Sequence, residues 1–343
     1  EQTDYQNAYS LYIGIPFCPT TCMYCSFTSY PLERFASLVP DYLEALKKEI
    51  RYCGQQFQGQ KLSSVYIGGG TPTTLSAEQL QDLIGCLYQN FPVETAYEFT
   101  VEAGRPDSIT PEKLRVLKEA GVGRISVNPQ TMQDKTLERI GRRHTTEQTR
   151  QVFEMAREAG FDNINMDLII GLPGESEADF ADTLQQIESL EPDSITIHSL
   201  VVKRASRLRQ VMEECGDILE EERAARMENM LALGEQFAAK HQYEPYYMYR
   251  QKNSAGHAGS SGQENIGYAR PGKECLYNIL IMEEKQTILA LGAGASTKRY
   301  DAQKNLVSRV ENVKNVTDYI NRIDEMLERK RDGRLFGRAG HGE

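Results

Sequence analysis

LYIGIPFCPTTCMYC, residues 11–25, joins an apolar run to three cysteines crowded into one short loop: Cys18, Cys22 and Cys25. LYIGI reads as a strand, because aromatic and β-branched residues suit a buried pleated surface. The cysteines follow at once, so they belong to the loop that leaves the strand's C-terminal end. Thiolates are soft ligands suited to zinc or iron–sulfur clusters. Structural zinc takes four protein ligands, and most clusters also take four. Three cysteines leave one position open. A distant Cys or His would complete a zinc site; an external chelator could complete a cluster.

Outward from this stretch one unit recurs: a short apolar run, a turn, then a capped amphipathic helix. The further runs are SSVYIGG (63–69), YEFTVEA (97–103), RISVNP (124–129), INMDLIIG (164–171) and SITIHSL (194–200). Ser76 with Gln79 and Thr145 with Gln148 read as capping boxes. Thr110 before Pro111 is a cap followed by a favoured first residue. Phe180, Leu184, Ile187 and Leu190 share one helical stripe. Strands alternating with helices imply an α/β fold with parallel pairing and right-handed crossovers. Periodicity does not separate a doubly wound sheet from a partial barrel. In both, the C-terminal strand ends form the functional edge. The unusual residues fall there: the cysteines, GGGTPT (68–73), Glu102, Gln130 and Asp167.

Beyond about residue 203 the pattern changes. Residues 220–241 read as one long helix, YEPYYMYRQ (243–251) as a strand and SAGHAGSSG (254–262) as a glycine-rich loop. YNILIMEEKQTILALGAGAS (277–296) reads as two strands and a bend, and 316–333 as a closing helix, before a frayed tail. The expected division is 1–202 for the barrel and its site, and 203–343 for a C-terminal α+β region over the substrate.

Of 343 residues, 40% are hydrophobic, enough for a full core, and the net charge of −10 argues against generic nucleic-acid binding. No apolar run approaches a membrane span. EQTDYQNAYS does not resemble a secretory signal. The sequence opens without methionine, as a processed or trimmed chain would. Seven cysteines, four of them scattered singly, suit a reduced, cytoplasmic protein. GGGTPT lacks the Lys-Ser or Lys-Thr of a phosphate loop. Its glycines instead allow backbone to approach a ligand closely.

Together, C-x3-C-x2-C after the first strand and GGGTPT after the second resemble the radical S-adenosylmethionine (SAM) superfamily. The resemblance narrows to the oxygen-independent coproporphyrinogen III oxidase family and its HemZ-type branch. It rests on Tyr12 to Cys18, GGGTPT, Glu102, Gln130 in SVNPQTM, Arg142 in IGRRH, Asp167 in NMDLIIGLPG and ENIGYARPGKE…LGAGAS. Members of that branch usually carry an additional N-terminal region without counterpart in these residues.

The resemblance implies an open (β/α)6 TIM-like barrel with a C-terminal extension. It implies a [4Fe-4S] cluster held by Cys18, Cys22 and Cys25, with SAM on the fourth iron as source of a 5′-deoxyadenosyl radical. Tyr12, Glu102, Gln130, Arg142 and Asp167 would line SAM, and Tyr24 would stack near its adenine. Gly69, Gly70 and Thr71 would offer backbone to its methionine end. Arg142 could meet the SAM carboxylate through a charge-assisted bond. The implied reaction is oxidative decarboxylation of coproporphyrinogen III propionates to vinyls. A monomer served by a flavodoxin- or ferredoxin-like electron donor is expected. Propionates want cations, and KRASRLR (203–209), Arg250, Lys252, Arg270 and Lys273 are candidates. One rival is a haem chaperone, although the tryptophan of that group's haem motif is absent. Another is a different radical SAM enzyme acting on tetrapyrroles.

Overall fold

A computed structural model describes residues 8–25, 29–200, 207–216, 220–250 and 264–331. The expected boundary at 202/203, the loop 254–262, Lys252, residues 203–206 and the tail from 332 lie outside them, as do the side chains of Arg207, Arg209 and Arg250.

Six strands alternate with helices as the capping signals require. They are β1 (Ala8–Ile15), β2 (Lys61–Gly69), β3 (Glu98–Gly104), β4 (Arg124–Gln130), β5 (Ile164–Ile170) and β6 (Ser194–Ser199). Between them run α1 (Val39–Gln56), α2 (Ala77–Asn90), α3 (Pro111–Glu119), α4 (Thr146–Glu158) and α5 (Glu177–Leu190). Both expected capping boxes form, as does a third at Ser176 with Asp179.

The strands are parallel and lie side by side in chain order. A doubly wound sheet reverses its order partway; this one does not. Same-handed crossovers then put every helix on one face, and the sheet curls into a partial barrel. Alternate residues obey two environments. Leu11, Ile13, Val65, Ile67, Val101, Ile125, Val127, Leu168 and Ile197 point outward into the core beneath the helices. The other parity is polar: Ser10, Ser64, Glu102, Arg124, Asn165, Asp167 and Thr196. Its members bond across strands, as Ser64 to Ser10 at 2.8 Å and Arg124 to Ser194 at 3.1 Å. The concave face is therefore polar, with side chains that bond to one another across the strands.

Later segments complete the sheet. They are α6 (Glu220–Lys240), β7 (Glu244–Arg250), β8 (Glu264–Ala269), α7 (Leu276–Glu283), β9 (Thr287–Leu291), β10 (Ser296–Asp301) and β11 (Leu306–Glu311). The full order is β11-β10-β9-β1-β2-β3-β4-β5-β6-β8-β7. β9 is parallel to β1, while β8 is antiparallel to β6.

Two expectations are corrected. YNILIME is helix α7, not strand. Its first amides, Leu276 N and Tyr277 N, donate to the distant Glu98 carboxylate at 2.6 and 3.2 Å. An acidic side chain there satisfies orphan N–H groups and suits the helix dipole. The run after 316 is also broken: α8 (Val316–Asn321) and α9 (Ile323–Arg331) meet at Arg322, whose φ of −114° and ψ of 25° leave the helical region.

α7 closes the concave side. Tyr277 stacks on Tyr66 at 4.4 Å and on Tyr12 at 6.0 Å. Asn278 meets Tyr246 from the far edge of the sheet. A buried ion pair fastens the chain's end: Lys330 and Glu49 are both fully buried. The Glu49 carboxylate also accepts from Tyr319, from Asn312 Nδ2 at 2.8 Å and from Gly292 N at 2.9 Å. Gly292 has a φ of +107°, and a Cβ there would meet Gly14 O of β1 at 2.7 Å.

Lys330→Met strands the Glu49 carboxylate and should cost about 3–5 kcal/mol, read as a lower urea midpoint. Adding Glu49→Gln removes the charge but keeps an acceptor, so it should recover part of that loss.

Candidate active site

The cysteine loop is fixed by backbone. Gly70 N donates to Ile15 O at 2.7 Å and Thr71 N to Phe17 O at 2.8 Å. The GGGT turn after β2 therefore lies along the chain leaving β1. A Cβ on Gly70 would meet Phe17 O at 2.5 Å and Cys18 Sγ at 3.0 Å, so only glycine fits. Cys25 N donates to Cys22 O, and Met23 N ties the turn to Ile140 O. Cys18 is buried, Cys22 half-buried and Cys25 exposed, and none forms a disulfide.

Burial pushes the Cys18 thiol up to about 11. Thr71 draws it back, the nearby Cys25 and Cys22 sulfurs raise it further, and Arg105 opposes them. Among the described residues, no three Cys, His, Asp or Glu side chains gather closely enough for a single metal ion. A cluster is less demanding, because each thiolate meets a different iron.

Irregular pairing shapes the adjoining edge. The β3–β4 register shifts between Val101 and Gly104, and the β4–β5 register between Val127 and Gln130. Bulges re-aim side chains at strand ends. Glu102 sits in the first shift. Its carboxylate accepts from Tyr66 Oη and from Gly69 N at 3.1 Å. Gln130 ends the second with a φ of 72°, rare for a residue with a Cβ. It is buried and its Oε1 has no hydrogen-bond partner; Asn128 Oδ1, two residues earlier on β4, and Ser199 Oγ, at the end of β6, are likewise orphaned. Buried acceptors without donors are costly, so those at the C-terminal strand ends fit a polar ligand.

The two carboxylates diverge. Burial raises the Glu102 carboxyl to about 7, and the Asp167 charge adds to the shift. Burial also works against the Asp167 carboxylate, but His198, Asn165 and Arg124 outweigh it and hold its pKa below the usual range. Asn165 Nδ2 donates to Asp167 at 2.7 Å; His198 Nε2 stands 3.8 Å away and acts through space. One carboxyl therefore stays ionised while its neighbour titrates near neutrality.

Arg142 is buried, bound by Nε and Nη2 to Tyr24 Oη at 3.0 and 2.7 Å and by Nη1 to Asn128 O at 2.6 Å. Tyr24 packs against the apolar cluster that holds Leu137, Ile140 and Leu172 and lies under that guanidinium. Tyr12 joins the Tyr66–Tyr277 stack. The amides of Gly69, Gly70 and Thr71 are already donated within the protein, so a ligand would meet this turn through its other groups.

Arg270 and Lys273 fall at the opposite end. β8 runs antiparallel, so its C-terminus delivers Arg270 N to Asp193 O and Lys273 Nζ to Asp162 O. A groove of about 500 Å³ opens there beside Tyr97, Arg124 and Lys273, away from the cysteines. His198 and Arg105 carried no spacing signal. Only the polar parity of SITIHS hinted at the first.

Fold and site together define a radical SAM protein: the radical SAM superfamily model matches residues 12–187, and the chain belongs to that superfamily. Within it, the chain falls in the group of coproporphyrinogen oxidases and haem chaperones. It is 42% identical over 324 residues to the oxygen-independent coproporphyrinogen-III oxidase-like protein HemZ of Bacillus subtilis, covering 94% of this chain and 63% of that protein. It is 30% identical over 295 residues to the heme chaperone HemW of Haemophilus influenzae, covering 84% and 70%. The coproporphyrinogen III oxidase HemN of Escherichia coli shares the fold, with a TM-score of 0.71 over 94% of this chain and 70% of that one, at 23% identity. The chain spans about half to two thirds of the length of the first curated relatives it matches. The superfamily works with a [4Fe-4S] cluster and SAM, and the three thiols and orphaned acceptors suit that pair.

Glu102 makes one behaviour measurable. The folded carboxyl keeps its proton to about pH 7, against an ordinary value of 4.5. Its stabilising effect is therefore present below pH 4.5 and lost as pH rises through 7. Glu102→Gln escapes that loss, so its Tm should gain on the wild type across this window in a thermal melt series.

Proposed function

We propose that this protein is an oxygen-independent coproporphyrinogen dehydrogenase, converting propionate side chains to vinyls by radical SAM chemistry. The observation that carries this reading is that the C-x3-C-x2-C loop and Gln130 Oε1, a buried acceptor without a donor, both follow from C-terminal strand ends of one parallel sheet. The HemZ protein of Bacillus subtilis, which matches over 94% of this chain, supports the substrate class by its name.

When bound, the cluster and SAM supply one-electron chemistry able to remove a hydrogen from an unactivated carbon. The chain's own residues do the rest. Cys18, Cys22 and Cys25 would hold the cluster through their three thiolates and leave its remaining position to SAM. Asp167, kept ionised, would accept from hydroxyl or ammonium donors, and Gln130 Oε1 would take another such donor. Arg142, anchored by Tyr24 and Asn128, would offer a fixed cation to the SAM carboxylate. The Tyr12–Tyr66–Tyr277 stack, packed between β1, β2 and α7, would limit water access from that side. Such positioning is the protein's main contribution to this kind of reaction.

Anaerobic incubation of the reconstituted protein with SAM, a flavodoxin- or dithionite-type reductant and coproporphyrinogen III tests the reading. Vinyl products with 5′-deoxyadenosine are expected. Stoichiometric haem uptake without SAM turnover would make it a chaperone instead. SAM cleavage with intact propionates would move the reaction to another substrate. Alanine at Cys18, Cys22 or Cys25 should abolish both bound iron and product. Gln130→Ala should weaken SAM binding about tenfold, a lost hydrogen bond of ~1.4 kcal/mol, by equilibrium dialysis.

A further inference from the structure

Arg105 stands outside the residues assigned above to cluster and SAM. It follows β3 directly, before the turn at Pro106–Ser108, and is 3% exposed. Its Nε and Nη2 donate to the Asp107 carboxylate at 3.0 and 2.7 Å. Its Nη1 reaches into the cysteine loop. There it donates to Thr20 Oγ1 at 2.6 Å, to Thr20 O at 3.3 Å and to Cys22 Sγ at 3.7 Å. One guanidinium thus grips the segment between Cys18 and Cys22 and also points a charged donor at a sulfur. Thr71 Oγ1 makes a matching neutral contact to Cys18 Sγ at 3.7 Å.

We propose that Arg105 is a positioning residue that raises the reduction potential of the cluster through Cys22, and that Asp107 tempers it. This rests on the reading that the three cysteines hold a cluster. A reduced cluster carries one more negative charge than an oxidised one. A nearby cation and an N–H···S bond therefore favour the reduced state. Asp107 cancels part of the same charge, so the pair acts in opposite senses. A role confined to loop order would not give substitutions at 105 and 107 opposite effects.

The test is a redox titration of anaerobically reconstituted protein, followed by the electron paramagnetic resonance signal of the reduced cluster. Iron and sulfide are counted first. A wild type that takes up no four-iron cluster sinks the underlying reading, independently of Arg105. Arg105→Met should shift the reduction equilibrium toward the oxidised form about tenfold, or about 59 mV for one electron. Arg105→Lys should fall between, and Asp107→Asn should move the opposite way. An iron-loaded Arg105→Met that titrates with the wild type overturns the inference, as do shifts of one sign at both positions. If Arg105→Met takes up no iron, the signs of Arg105→Lys and Asp107→Asn decide.

Discussion

Two backbone hydrogen bonds, from the Gly70 and Thr71 amides to the Ile15 and Phe17 carbonyls, set the geometry on which the site depends. They fasten the turn after the second strand to the chain leaving the first. The cysteine loop then starts from a fixed point, with Cys18 under Thr71. The cost is strict: at Gly70 a single added carbon would collide with the Phe17 carbonyl. Sequence spacing between CPTTCMYC and GGGTPT has functional meaning only because this approach brings them together.

The same edge shows how a β-sheet diversifies its side chains. Regular pleating would give each strand end the same two directions. Register shifts before Gly104 and Gln130 break that rule, and the residues there become acceptors in unusual settings. Glu102 and Asp167 are both acids on one concave face. Different neighbours, Tyr66 and Gly69 for one and Asn165 and His198 for the other, set them apart in protonation.

Much of this was legible from local pattern. Strand alternation, Ser76 and Thr145 caps, and the Thr110-Pro111 start all act over a few residues, so the sequence displays them directly. The barrel was not decided locally, because strand order is a property of pairing. α7 was misread for a related reason: its N-terminal partner, Glu98, lies far away in sequence. Arg105 and His198 were invisible because an isolated basic residue carries no period or spacing. The cationic residues near the loop at 254–262 were attractive by composition. The antiparallel course of β8 takes Arg270 and Lys273 to the wrong end.

The placement of β9 against β1 has a consequence for how the chain is made. β1 pairs on one side with β2 and on the other with Thr287–Leu291. During synthesis at ~5–20 residues per second, the second partner emerges roughly 10–45 s after the first. Through that interval the strand that launches the cysteine loop is a bare sheet edge, the kind of surface that invites wrong pairing. The Glu49–Lys330 lock comes later still. The strand that leads into the cysteine loop thus waits with one flank unpaired until Thr287–Leu291 arrives, and chaperoning of that edge would protect the nascent chain during that interval.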